Sequence, residues 1–251
     1  PERAGFPATD PGGAYLPACS AVYRCINKVE NVAPRSFRVG KGSLYINEFM
    51  PIRGGGLEKI MEKRKDFLPY GLPFITEKEV EEVSNVIRSG WWSKGPKTME
   101  FEKKFAEYVG AKHAIALNSC TAALHLALVA KGIGPGDEVI TTPMSFTSTS
   151  NTILHAGATP VFADIDESTG LIDPAEIERH ITPKTKAIVP VHYAGQACDM
   201  DAIHAIAEKH GLFVSEDAAH AVSATYKGQL IGGGEKCQAA SFSFYATKNL
   251  A

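Results

Sequence analysis

The alternation of short apolar runs with helical patterns from residue 67 onward constrains this fold most. Strands are predicted at 113–117, 138–142, 159–164, 186–192, 212–216 and 239–244. Helices are predicted at 120–131, 145–155, 174–180 and 200–210. Two more are predicted before them, one that ends at Gly90 and one with Phe101, Phe105 and Val109 on one face. This alternation is typical of an α/β fold with a mostly parallel sheet covered by helices on both faces.

Local signals mark the ends of two helices. Thr76 and Glu79 have the spacing of a capping box, and Gly90 ends the apolar pattern that follows. Asp199 is a predicted N-cap for the helix that begins at Met200.

Composition excludes several classes of protein. The chain has 251 residues, 44% of them hydrophobic, and a net charge of −2, so it lacks the overall charge of a nucleic-acid or acidic-membrane binder. Apolar runs stay shorter than the roughly 18 residues of a membrane span. Five cysteines without a C-x-x-C pair argue against a disulfide framework or zinc ribbon and favour the cytoplasm.

Residues 1–60 differ from the remainder, with 8 basic against 5 acidic residues and scattered Pro and Gly. We expect a disordered or non-native extension here, and a cofactor-binding domain over 61–251. A small separate domain is an alternative. Another is that Met61 is the true start and the upstream residues derive from non-coding sequence.

Ligands of such sheets bind beyond the carboxyl ends of the strands, so the residues that follow each strand are the candidates for chemistry. Ser119, Cys120 and Thr121 open a helix after the first predicted strand, where free N–H groups suit a phosphate. Ser119 would also serve as a plain N-cap. Phe146 follows the second predicted strand and would either face a flat ligand or fill the core.

Charged candidates follow the later strands. Asp217 ends a buried run and needs a cationic ligand, a metal or a protein donor, and His220 lies three residues on. A third metal ligand is missing nearby, so no metal is predicted. Ser243 and Lys248 follow the last strand, and the lysine is either a solvated residue or a Schiff-base nucleophile. Pyridoxal 5′-phosphate needs a phosphate-binding helix N-terminus, an aromatic side chain that stacks on its ring, a carboxylate and a lysine. These candidates together provide all four.

Residues 67–251 resemble the nucleotide-sugar aminotransferases of the DegT/DnrJ/StrS type. The segments that carry the resemblance are 89–92, 94–97, 118–125, 134–140, 142–146, 190–196, 216–220 and 241–249. The resemblance implies the three-layer large domain of fold-type I pyridoxal-phosphate enzymes, followed in the family by a small C-terminal domain. It also implies a homodimer.

The family assigns roles to matching positions. Lys248 would bind the cofactor aldehyde and carry protons, Asp217 would pair with the pyridinium nitrogen, and Phe146 would stack on the ring. His220 would lie near the cofactor hydroxyl. The implied phosphate ligands are Ser119, Cys120, Thr121 and Ser243. The residues expected near the substrate are Gly95, His192 and Asn249.

The implied activity is amino transfer, with glutamate as donor, to a keto sugar of a nucleotide-sugar. Such products enter cell-surface polysaccharide, lipopolysaccharide or secondary-metabolite sugars. Cyclitols or other keto compounds are alternative substrates, whereas sugar dehydratases of the family replace the lysine that is present here as Lys248. Neither nucleic acid nor membrane is an expected partner. Because the sequence stops at Ala251, we also expect residues 1–251 alone to bind cofactor poorly and to have little activity.

Overall fold

The computed structural model describes residues 74–250, in which a parallel sheet lies between two layers of helices. The strands are β1 (Glu138–Thr141), β2 (Thr159–Phe162), β3 (Thr185–Val189), β4 (Phe213–Asp217), β5 (Thr225–Tyr226), β6 (Gln229–Leu230) and β7 (Ala239–Ser241). Five of them form one sheet in the order β2-β1-β3-β4-β7, and each neighbouring pair is parallel. β5 and β6 form a separate antiparallel hairpin.

Six α-helices accompany the strands in this part of the chain. They are α1 (Glu77–Ser89), α2 (Pro96–Val109), α3 (Cys120–Ala130), α4 (Ser148–His155), α5 (Pro174–Arg179) and α6 (Met200–His210). A short 3₁₀ turn at Tyr193–Gly195 follows β3.

The two faces of the sheet bury separate apolar clusters. Ile140, Ile188 and Val214 pack on one face with the side chains of α5 and α6. Their strand neighbours point the other way, and Val139 and Val189 pack there with α3 and α4. Because successive side chains of a strand alternate between faces, apolar residues throughout these strands require a helical layer on each side. The predicted three-layer α/β fold is confirmed.

The predicted helix ends are confirmed as well. The Thr76 side chain and the Glu79 carboxylate form the reciprocal bonds of a capping box, and Gly90 ends α1 in a left-handed conformation with φ of 76°. The Asp199 carboxylate accepts a hydrogen bond from the N–H of Ala202 at the start of α6.

The strand predicted at 113–117 is wrong, because this segment forms no ladder within residues 74–250. Ile115 is 74% exposed, and the N–H of Ala116 donates to the Glu102 carboxylate instead of to a neighbouring strand. The helix predicted from residue 145 begins only at Ser148, since a turn closed by Ser145 N–H to Pro143 O precedes it.

The predictions for residues 1–60 and for a start at Met61 lie outside the described residues. In residues 74–250, none of the helices combines the length and the apolar character needed to cross a bilayer.

Shortening a side chain in the core should reduce the stability of the fold strongly. Ile188 is completely buried at the centre of the sheet, so Ile188→Ala should lower the free energy of unfolding by about 2–5 kcal/mol. Lys186 is exposed on the same strand, and Lys186→Ala should change the free energy of unfolding by less than about 0.5 kcal/mol. Chemical denaturation of both variants measures the difference, and equal losses would contradict this account of the core.

Candidate active site

The carboxyl ends of the strands open into a groove of about 1640 Å³. All eight residues that the sequence places around the cofactor line it. They are Ser119, Cys120, Thr121, Phe146, Asp217, His220, Ser243 and Lys248. The groove forms where four separate segments of the chain meet. Three of them lie at or after the ends of β1, β4 and β7, and the fourth is the start of α3, which follows no strand in residues 74–250.

Asp217 is a buried carboxylate at the end of β4, with 5% of its surface exposed. Its Oδ2 accepts a hydrogen bond from the Thr149 hydroxyl at 2.7 Å, and its Oδ1 accepts one from the N–H of Ala219 at 3.2 Å. Its backbone N–H and C=O are bonded to Pro190 and His192. Each carboxylate oxygen therefore has a hydrogen-bond donor within the protein.

Thr149 is a site residue that the sequence interpretation missed. It lies on α4, which follows β1, and is separated from Asp217 by 68 positions in the chain. The run of hydroxyl residues from Ser145 to Thr152 was the available signal, but nothing in the sequence shows which hydroxyl faces Asp217.

The N-terminus of α3 offers donors to an anion. The Ser119 hydroxyl accepts a hydrogen bond from the N–H of Ala122 at 3.1 Å, as in an N-cap. The N–H groups of Cys120 and Thr121 have no acceptor within residues 74–250, and both residues line the groove. Two free N–H groups at the positive end of a helix are suited to a phosphate.

Ser243 also lines the groove, just past the end of β7. Its side chain is buried, and its hydroxyl accepts a long hydrogen bond of 3.4 Å from the N–H of Tyr245. The hydroxyl therefore keeps its proton available for an acceptor such as phosphate.

Cys120 is a space-filling thiol in this turn. Burial and the nearby Asp217 carboxylate raise its pKa to about 12, an effect that the Lys248 charge opposes. Its Sγ donates to the carbonyl of Ser241, linking the start of α3 to β7 at 3.5 Å. The helix N-terminus therefore does not activate this thiol.

Lys248 and His220 meet across the groove, with 2.9 Å between Nζ and Nε2. Desolvation, followed by the Lys248 charge, lowers the pKa of His220, while Asp217 opposes the shift. A neutral imidazole can accept a hydrogen bond from the lysine ammonium, so Lys248 is the donor and His220 is the acceptor of this pair.

Phe146 projects from the turn between β1 and α4, and 75% of its surface is exposed. The alternative in which it fills the core is wrong. An exposed aromatic face at the rim of a groove is available for stacking on a planar ligand.

His192 is among the residues that line the groove. It is buried, and its Nδ1 accepts the N–H of Cys198 at 3.1 Å, so the proton is on Nε2, which donates to the Glu216 carboxylate at 2.9 Å. Gly195 follows with φ of 84°, and a Cβ there would lie 3.0 Å from the His220 carbonyl. This close approach explains the glycine.

Gly95 and Asn249 lie outside the residues that line the groove. Gly95 is the N-cap of α2, where a Cβ would lie 2.9 Å from the Trp91 Cβ. The Asn249 amide donates to the Val222 carbonyl at 2.6 Å. The substrate roles of Gly95, His192 and Asn249 stay predictions. Residues 74–250 contain no group of three His, Cys, Asp or Glu side chains placed to hold a metal ion.

Cys120 should resist alkylation in the folded protein. With its pKa raised to about 12, iodoacetamide at pH 8 should leave it unmodified, because almost none of it is thiolate. Peptide mapping by mass spectrometry measures this, with the urea-unfolded protein as the control in which Cys120 reacts. Modification of Cys120 at the rate of a free thiol in the native protein would contradict the assignment.

Known proteins share this architecture. The spore coat polysaccharide biosynthesis protein SpsC of Bacillus subtilis (strain 168) is 65% identical over 192 residues, which are 76% of this chain and 49% of SpsC. A Streptococcus pneumoniae protein assigned as a sugar aminotransferase, solved in its PMP form, has a TM-score of 0.70 at 40% identity. That match covers 74% of this chain and 50% of the other.

The S. venezuelae protein DesV, solved in complex with a ketimine intermediate, has a TM-score of 0.65 at 40% identity, covering 72% of this chain and 51% of DesV. The chain thus spans about half the length of the relatives it matches. The Streptococcus pneumoniae protein was also solved in a PLP form.

The predicted family and its cofactor class are confirmed. The family's enzymes are pyridoxal-phosphate-dependent aminotransferases. The model of the DegT/DnrJ/EryC1/StrS aminotransferase family matches residues 73–251, and this chain belongs to that family.

Proposed function

We propose that the groove binds pyridoxal phosphate and that the full-length protein transfers an amino group to a keto sugar carried on a nucleotide. One observation carries the proposal: a buried carboxylate, an amine and two free helix N–H groups face the same groove. SpsC acts in the biosynthesis of spore coat polysaccharide, and this supports a sugar as the acceptor. Glutamate is the proposed amino donor.

The residues present fit the cofactor at each of its functional groups. The N–H groups of Cys120 and Thr121, with the Ser243 hydroxyl, would hold the phosphate. Phe146 would cover one face of the ring. When bound, pyridoxal phosphate supplies an electron-withdrawing ring that stabilises negative charge on the substrate carbon.

Asp217 places a fixed negative charge where the ring nitrogen would lie. Because this carboxylate is buried and already hydrogen-bonded, it needs little reorganisation to stabilise a protonated nitrogen. Thr149 and Ala219 hold its two oxygens. The chain thus provides a preorganised, buried anion in the lining of the groove.

Lys248 provides the mobile proton. Its amine would hold the cofactor through the aldehyde group, and the same amine can remove and return a proton as general base and acid. The His220 imidazole, whose Nε2 lies 2.9 Å from Nζ, accepts a hydrogen bond from the Lys248 ammonium and so orients the amine in the groove.

We further propose a cytoplasmic homodimer. Cys120, Cys198 and Cys237 are free thiols, which suits a reducing compartment. In the described part of the chain, α1 buries none of its residues, so its exposed apolar side chains leave a surface for further packing.

Covalent attachment of the cofactor should map to Lys248. Borohydride reduction of the full-length holoprotein fixes the imine as a stable secondary amine, and mass spectrometry should find that mass on the Lys248 peptide. Lys248→Ala should lose the label and the activity. Lys227→Ala removes an exposed lysine paired with Asp201 and should keep both. A label on another lysine, or full turnover of Lys248→Ala, would overturn the assignment.

The acceptor should be a nucleotide-linked keto sugar. With glutamate as donor, the full-length enzyme should aminate members of a nucleotide-keto-sugar panel, and 2-oxoglutarate should form in equal amount. Free keto sugars and keto cyclitols are the comparison substrates. Turnover of a keto cyclitol with none of the nucleotide-sugars would replace the proposed substrate class by the alternative one.

A further inference from the structure

A chain of three side chains joins the β1–α4 segment to the end of β4. The Ser145 hydroxyl lies 2.5 Å from the Thr149 hydroxyl, which lies 2.7 Å from Oδ2 of Asp217. Thr149 is buried, with 1% of its surface exposed, and Ser145 is half-buried at the groove. Two separate crossovers of the sheet are therefore linked through one hydroxyl.

The direction of these hydrogen bonds follows from the number of protons. An ionised carboxylate only accepts, so the single Thr149 hydroxyl proton points to Asp217. The carbonyl of Phe146 is a weaker competitor at 3.1 Å, because it is more distant and uncharged. Ser145 must then donate to the oxygen of Thr149, which makes that hydroxyl a stronger donor.

Among residues 74–250, only the N–H of Ala219 holds the second carboxylate oxygen, at the longer distance of 3.2 Å. Without Thr149, rotation of the Asp217 carboxylate about its terminal bond would be restrained by this one contact. We infer that Thr149 is a positioning residue that holds the Asp217 carboxylate in the orientation that receives the ring nitrogen of the cofactor. This inference rests on the proposed function.

Thr152 is a matched control position, which separates the positioning role of Thr149 from a purely structural role of a buried threonine. It is a buried threonine on the same helix, with 1% of its surface exposed, and its hydroxyl donates to the carbonyl of Thr149 at 3.0 Å. Within the described part of the chain, its hydroxyl has no hydrogen-bond partner outside α4. The same substitution at the two positions therefore separates loss of a buried hydroxyl from loss of the contact with Asp217.

The test measures the dissociation constant of pyridoxal phosphate by absorbance titration of the full-length apoprotein. Thr149→Val should weaken binding about tenfold or more, since it removes a hydrogen bond to a charged group. Thr149→Ser restores the hydroxyl and should return affinity to within about threefold of wild type. Thr152→Val should leave affinity unchanged. Unfolding midpoints of the apoproteins monitor folding, and Thr149→Ala is a second hydroxyl-free variant should Thr149→Val not fold.

A double-mutant cycle tests whether Thr149 acts through Asp217. In an Asp217→Asn background, Thr149→Val should weaken cofactor binding by less than about twofold, because its partner carboxylate is gone. Equal losses for Thr149→Val and Thr152→Val, or tenfold weakening that persists in the Asp217→Asn background, would overturn the inference. Should wild type itself fail to bind the cofactor, the proposed function fails, and this inference fails with it. If wild type binds the cofactor and Thr149→Val binds it equally well, this inference fails and the proposed function stands.

Discussion

A carboxylate that must remain charged inside the protein is the constraint on which this structure depends. An unpaired buried carboxylate costs several kcal/mol, so Asp217 requires donors from the surrounding fold. Thr149 and Ala219 supply them, and Pro190 and His192 fix the backbone of Asp217. Three segments of the chain thereby meet at Asp217, and its carboxylate is fixed where it lines the groove.

The parallel sheet makes this convergence possible. All five strands of the sheet run in the same direction, so the turns that follow them collect at one edge. The helix N-terminus at Cys120 and Thr121 contributes positive partial charge, while Asp217 contributes negative charge. A ligand with an anionic group at one end and a basic nitrogen at the other matches this arrangement, and Lys248 completes it with an amine.

The sequence predicted the layered fold and the groove because apolar periodicity and strand ends are local signals. It did not predict Thr149, whose contact with Asp217 spans 68 positions, or the pairing of His192 with Glu216. The strand expected at 113–117 failed because apolar character indicates extended chain but does not supply a neighbouring strand. The β5–β6 hairpin was missed because its turn begins with Lys227, at φ of 48°, instead of the usual Asn or Asp.

The most direct test of the central claim is the protonation state of the cofactor's ring nitrogen. Full-length protein reconstituted with ¹⁵N-labelled pyridoxal phosphate should show the nitrogen chemical shift of a protonated ring at neutral pH. In Asp217→Asn the shift should move to that of the unprotonated ring. An unprotonated ring nitrogen in the wild-type protein, or a shift that the substitution leaves in place, would contradict the account.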